Sequence, residues 1–277
     1  MSDKTKKKIF VIIGVIVTSI ICLVPFVWMI VISFSKNPDF LGSVKVSYTF
    51  TWNNYRQIIT SRDLHIIDYF KNSLIIAIVV TFFSVMIGSF AGYAISRIRF
   101  KGKTFITLGI LAVSMFPQIS IVGYIFELMT KLGWINTYKA LIFPYIAWVM
   151  PISLWILISY FMQLPKSLDE AAMVDGANRM QTLLKVILPI SAPGVFSTAL
   201  LVFIASFNEF MFALMLTTDY HARTIPVGIA LFQGLHGQIP WGQIMASSAI
   251  AAIPLVVMVL IFQRYIVQGL TAGALKG

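Results

Sequence analysis

Residues 9–34 read IFVIIGVIVTSIICLVPFVWMIVISF, 26 consecutive residues without a Lys, Arg, Asp or Glu. A helix rises 1.5 Å per residue, so about 20 such residues cross the hydrocarbon core of a bilayer. This stretch is long enough to span. Lys4, Lys6, Lys7 and Lys8 precede it, as basic residues precede a secretory leader. The apolar run nevertheless exceeds the roughly 7–15 residues of a leader, and no small-residue cleavage pattern follows. It is expected to remain as an anchor.

Working outward, five more stretches have the same character: Asn72–Ser96, Thr104–Phe126, Ala140–Leu164, Gly194–Thr217 and Trp241–Gln263. Only the fifth span of the six carries a charge, Glu209. The period-2 alternation of a lipid-facing barrel strand is absent, so the segments read as helices. Of the 277 residues 58% are hydrophobic and 11% charged, against about 25% charged in soluble domains. That balance excludes a soluble enzyme, a secreted domain and a nucleic-acid binder, despite the net charge of +11. Cys22 is the single cysteine, and His65, His221 and His236 are far apart in the chain. Neither a disulfide framework nor a metal site follows from them.

The expected fold is all-α: one polytopic membrane domain, 1–277, of six transmembrane helices. Lys and Arg set its orientation. With the N-terminus inside, the inner segments hold Lys4, Lys6, Lys7, Lys8, Arg97, Arg99, Lys101, Lys103, Lys166, Arg179, Lys185, Arg264 and Lys276, the larger part of the 21 basic residues. Both termini, the segment 163–193 and the tail 264–277 are therefore expected in the cytoplasm. Pro25, Pro117, Pro144, Pro151 and Pro254 fall inside spans and are expected to kink them. Ser84, Gly88, Gly92 and Ser96 recur every four residues. They form a stripe that admits a close helix neighbour, as static packing or as a moving seam.

The inner segment QLPKSLDEAAMVDGANRMQTLLKVILPISAP, residues 163–193, is too long for a plain connection. Ser167 is suited to cap a helix whose first turn holds Asp169 and Glu170, acids that favour the positive end of a helix dipole. Gly176 permits the left-handed backbone that stops a helix. A second helix is expected from Asn178 to Leu188, with Leu183, Leu184 and Ile187 on one face and Pro189 closing it. An amphipathic helix resting on anionic headgroups is disfavoured by Asp169, Glu170 and Asp175, which such a leaflet repels. The alternative is a small-residue helix shaped for a groove on another protein.

The run Glu170-Ala171-Ala172, three residues, Gly176, nine residues, Val186, one residue, Leu188-Pro189 resembles the EAA loop of ABC importer permeases, with Val186 where the usual pattern has Ile. Gly92-Tyr93-Ala94-Ile95-Ser96-Arg97-Ile98-Arg99-Phe100 and Phe207-Asn208-Glu209-Phe210 resemble the carbohydrate-uptake branch. The ending Gly269-Leu270-Thr271-Ala272-Gly273-Ala274-Leu275-Lys276-Gly277 resembles the maltose-type second permease subunit. The likeness covers nearly the whole chain.

This resemblance implies a type I ABC importer permease of the prokaryotic cell membrane, moving a sugar or oligosaccharide. The alternatives are a non-sugar solute or an ion-coupled carrier. The implied partners are a second, non-identical permease, two copies of a cytoplasmic ABC ATPase, an extracytoplasmic solute-binding protein and the lipid bilayer. ATP and magnesium would be bound by the ATPases, so no cofactor is expected in this chain. Its coupling residues would be Glu170, Ala171, Ala172, Asp175, Gly176, Leu188 and Pro189. In the tail, Gln268, Gly273, Lys276 and Gly277 would reach the ATPase interface. Gly234, Leu235, His236, Gly237 and Gln238 would meet the binding protein. Asn208 and Glu209 are expected to face the water-filled pathway, since a carboxylate at mid-membrane costs several kcal/mol, about 2.5–3.5 on insertion scales. Gly102-Lys103-Thr104 is no phosphate loop: that pattern needs glycine at the position of Arg97. The chain is expected to catalyse nothing itself.

Overall fold

A computed structural model describes residues 3–36, 49–61, 63–232 and 239–274, the segment 264–274 as backbone. Apart from an isolated bridge between Ser35 and Phe50, the described residues are helices and their connections. Four helices are each long and apolar enough to cross a membrane: α1 (Asp3–Ser33), α3 (Ile66–Arg97), α6 (Tyr138–Gln163) and α13 (Trp241–Ala274). Two bent pairs bring the number to six when each is taken as one span.

The kink expected at Pro117 is present and large, a second bend falls at Ser191, ahead of the expected fifth span, and that span, expected unbroken, is interrupted at 208–210. α4 (Lys103–Ser114) and α5 (Gln118–Lys131) meet at 91°, because Pro117 sits extended at φ −69°, ψ 133° and begins a new helix. Arg179–Ile190 meets α10 (Ala192–Phe207) at 82°. The Ser191 N–H still bonds to the Ile187 carbonyl at 2.8 Å, and Pro193, in the first turn of α10, needs no donor there. Pro25, Pro144, Pro151 and Pro254 lie inside continuous helices.

The chain packs as two units. The first comprises residues 1–67 and 228–253. There α1 exposes its apolar side chains from Ile9 to Val31, as a helix solvated by lipid does. Its end is fastened to α2 (Asn53–Thr60): the Asn54 amide donates to the carbonyls of Ser33 and Ser35 at 2.8 and 3.0 Å. The rings of Phe34, Phe50, Trp52 and Tyr55 cluster over that joint.

The second unit comprises residues 68–227 and 254–277, and α6 is its axis, with eleven buried residues. The core joins Ile76 and Val80 of α3, Met129 of α5, Leu141 and Tyr145 of α6, Val202 of α10 and Phe212 of α11 (Met211–Leu216). The small-residue stripe is where α3 meets α6. The Ser153 hydroxyl donates to the Ser84 carbonyl at 3.1 Å, and a Cβ at Gly88 would stand 2.6 Å from Ser153 Oγ and 3.0 Å from Leu157 Cδ1. Gly88→Ala is therefore expected to lose about 1–3 kcal/mol to overpacking. Adding Ser153→Ala, which removes the obstructing hydroxyl, is expected to recover most of it. Melting curves of the purified single and double variants check the pair.

Candidate coupling site

α7 (Ser167–Val174) has two faces. Asp169 and Ala172, three residues apart, are buried inward, and Leu168 packs against a cluster of Tyr93, Leu157, Phe161, Leu183 and Ile187. The other face carries Glu170, Ala171, Met173 and Val174, all exposed, Val174 to 87%. The helix begins differently from expectation. Lys166 occupies the N-cap in helical conformation with no side-chain bond, so Ser167 lies in the first turn. α7 ends as expected: Asp175 is its exposed C-cap, and Gly176 follows at φ +85°.

The segment after this turn opens with a capping box. Asn178 accepts from the Gln181 N–H at 2.9 Å while the Gln181 side chain accepts from the Asn178 N–H at 2.9 Å. α8 (Arg179–Thr182) then runs into a π-helical turn at Leu183–Ile187, and α9 (Leu188–Ile190) completes it. Pro189 offers no donor to the carbonyl of Lys185, and a local π adjustment accommodates such a residue. Leu183 and Ile187 are buried, but Leu184 points outward, 48% exposed, which corrects the single apolar face. Pro189 does not close the helix either, since α9 runs on to Ile190. Leu188 packs on the inner cluster and Pro189 is exposed. Of the coupling residues read from the sequence, Glu170, Ala171, Asp175, Gly176 and Pro189 are thus on the surface, whereas Ala172 faces its own chain.

Glu209 is corrected more sharply. Between α10 and α11 the helix breaks, and the Glu209 carboxylate, 4% exposed, turns onto the start of α11. Its two oxygens accept the N–H groups of Phe212 and Ala213 at 2.8 and 3.1 Å. The Tyr145 hydroxyl is near the same carboxylate without a well-directed hydrogen bond. Within this chain the carboxylate is held by those two backbone donors. Asn208, by contrast, is exposed at the break, its amide donating to the Ile204 carbonyl at 2.9 Å. Glu209→Ala would strand two buried N–H groups at about 1–3 kcal/mol each. A melting temperature several degrees lower is expected, with a smaller loss for Glu209→Gln, which keeps one acceptor. An unchanged melting temperature together with a raised transport KM would return Glu209 to the pathway.

At the opposite end of α3 and α6 a second polar cluster ties the connections together. The Asn72 amide donates to the carbonyls of Tyr220 and Arg223, both at 2.9 Å, and accepts from the Tyr138 hydroxyl at 2.7 Å. Asn136, in the left-handed region at φ +60°, donates to Asp219 at 2.7 Å and accepts from the N–H groups of Thr218 and Asp219. That amide donor, with the His221 N–H and ring, holds the Asp219 carboxyl down at about 2. Thr224 and Ile225 are buried at the start of α12 (Ile225–Ala230). Gly234, Leu235, His236, Gly237 and Gln238 lie outside the described residues, as do Lys276 and Gly277. Gln268 and Gly273 lie on the backbone of α13.

Residues 84–272, which include the whole of α7 to α11, match the family described as the binding-protein-dependent transport system inner membrane component. The chain belongs to this family. The permease is 62% identical over 277 residues to the trehalose/maltose transport system permease protein MalG of Thermococcus litoralis, covering 100% of both chains. It is 38% identical over 260 residues to the trehalose transport system permease protein SugB of Mycobacterium tuberculosis, covering 92% of this chain and 93% of that one. Its fold is similar to a chain of a bacterial ABC transporter involved in the import of the acidic polysaccharide alginate. The TM-score is 0.73 at 19% identity, over 96% of this chain and 98% of the other.

Tyr93 and Arg97, quoted above only for resemblance and charge, were not among the site residues expected of this permease, and neither were the inward role of Asp169 nor the Asn72 and Asn136 cluster. The available signal was position: Arg97 and Asn72 stand at the two ends of one apolar run, where a polar side chain can reach connections on either side.

Proposed function

We propose that the permease is one of two non-identical transmembrane subunits of an ATP-driven importer for a sugar or oligosaccharide. The observation that carries this reading is the outer face of α7. A short helix offers Glu170, Ala171, Met173 and Val174, all exposed among the described residues, next to a glycine turn at φ +85°. That is an apolar ridge with an acid at one side, fit for a groove with a basic group. The relatives named for trehalose and maltose support the sugar class.

In this reading the two termini, α7 and the tail with Gln268, Gly273, Lys276 and Gly277 lie in the cytoplasm. Two ATPase copies bind ATP and magnesium there, and the permease contributes no catalytic group. The binding protein docks on the other side, where residues 234–238 meet it. Asn208, at the helix break, faces the pathway. ATP binding draws the coupling helices together and swings the single permease domain from inward-open to outward-open. Moving such an equilibrium from 1:99 to 99:1 takes about 5.5 kcal/mol of differential binding, which docked ATPases supply.

The test is purification of the tagged chain in mild detergent, then reconstitution with the co-purifying subunits and the binding protein. An ATPase and a second permease are expected to come with it, and maltose or trehalose uptake is expected to require ATP inside the vesicle. Uptake by the chain alone without ATP would replace this reading with an ion-coupled carrier.

A further inference from the structure

α7 is joined to its neighbours in the chain by turns at both ends, Leu164–Lys166 and Gly176–Asn178, so its backbone alone is a poor conveyor of force. What fixes its inner face is polar. Asp169 Oδ1 accepts from the Tyr93 hydroxyl at 2.8 Å. Asp169 Oδ2 lies 3.3 Å from Arg97 Nε, with the Arg97 and Asp169 side chains 4% and 8% exposed. Arg179, from α8, approaches the Tyr93 hydroxyl. Tyr93 and Arg97 stand one helical turn apart on the last two turns of α3, the helix that touches α6 along the small-residue stripe.

We propose that Asp169 is a positioning residue that joins the coupling helix to α3, so that movement of α7 is handed to the transmembrane bundle through the Tyr93–Asp169–Arg97 clamp. The proposal rests on the importer reading above and deepens it.

Two features single out this clamp. First, apolar contacts such as those of Leu168 are non-directional and allow a helix to slide, whereas a hydrogen bond such as that from Tyr93 to Asp169 weakens steeply when bent. The directional contacts from α7 to α3 pass through Asp169. Secondly, a buried ion pair adds little to stability over a well-packed apolar replacement, and its best-attested use is to set register or a switch. The geometry fits that use. Arg97 Nε and Nη2 and Asp169 Oδ2 lack a well-formed hydrogen bond, so the Tyr93 hydrogen bond is the directional half of the clamp and the Arg97–Asp169 pair its electrostatic half. Glu170, one residue away, points to the opposite side. Docking and transmission are thereby divided between neighbouring carboxylates.

The experiment uses the full complex in proteoliposomes, with the binding protein and a transported disaccharide. Three quantities are read: ATPase co-purifying per permease, melting temperature, and ATP hydrolysed per solute moved. Asp169→Asn keeps the shape and an acceptor for Tyr93 but removes the charge. It is expected to leave ATPase docking within about two-fold of wild type, because the outer face is untouched, and to raise ATP consumed per solute about ten-fold or more. The double variant Asp169→Leu with Arg97→Met replaces the clamp by apolar contact. It is expected to melt near the wild-type temperature and remain uncoupled, and it carries the test if the single variant does not fold. An unchanged ratio of ATP to solute in either variant overturns the proposal. So does a fall in transport matched by an equal fall in ATP hydrolysis. If the wild type holds no ATPase, the importer reading itself fails and takes the clamp with it.

Discussion

Glu170→Ala is expected to weaken binding of the ATPase to the permease by about 30-fold or more. Glu170 is the acid on the outer face of α7, flanked by Ala171, Met173 and Val174, all exposed in this chain. Docked in a groove, its carboxylate leaves water and is held by a basic group. Removing one partner of such a desolvated pair costs about 2–5 kcal/mol, and each 1.4 kcal/mol is ten-fold in affinity. Asp175 supplies the control. It is exposed at the far end of α7, beside the turn, and Asp175→Ala is expected to change binding by only a few-fold, as rim charges do. Titration of the solubilised permease with the co-purifying ATPase, at two salt concentrations, separates the two. Equal affinity for wild type and Glu170→Ala would remove α7 from the interface.

The second large effect is expected at Gly194. A Cβ there would run into Cγ and Cδ2 of Tyr160 and stand 2.7 Å from its Cδ1, far inside the roughly 3.5–4.0 Å of carbon contact. Cγ is the root of the ring, so it cannot swing away as a flexible tip would. Gly194 lies in the first turn of α10, just past the 82° bend, where α10 leans on α6. Gly194→Ala is expected to destabilise the permease by about 1–3 kcal/mol, a fall of roughly 2–12 °C in melting temperature at the usual conversion for chains near this size. Gly194→Val is expected to fall further and to lose transport. Tyr160→Ala in the same chain is expected to relieve much of the loss, giving a coupling energy that additive effects would not show. Equal melting of Gly194→Ala and wild type would mean that α6 and α10 do not hold this contact.

The continuous spans were legible because each is an unbroken apolar run, so that α1, α3, α6 and α13 need only length and composition. The two bent spans were not. Pro117 announces a kink, but a 91° angle depends on what packs against each half. The break at Asn208–Phe210 carries no proline or glycine at all. Glu209 shows the limit most plainly. Its carboxylate accepts two N–H groups of the chain's own broken helix, and those donors are free only because the helix breaks there. At α7 the helix stop at Gly176 followed from turn chemistry. The inward face did not, because the burial of Asp169 is set by Tyr93 and Arg97, some seventy residues earlier, and no local pattern reports that distance.

The polar clusters at the two ends of α3 have a consequence of their own. α3 has 32 residues, about 48 Å of helix. It is pinned through Asn72 at one end and through Tyr93 and Arg97 at the other, with Ser84, Gly88 and Gly92 seated on α6 between them. If the clamp proposed above carries movement, a helix held at both ends and along one face would tilt as a unit rather than bend between its supports. Side chains on its remaining faces would then be free of that task.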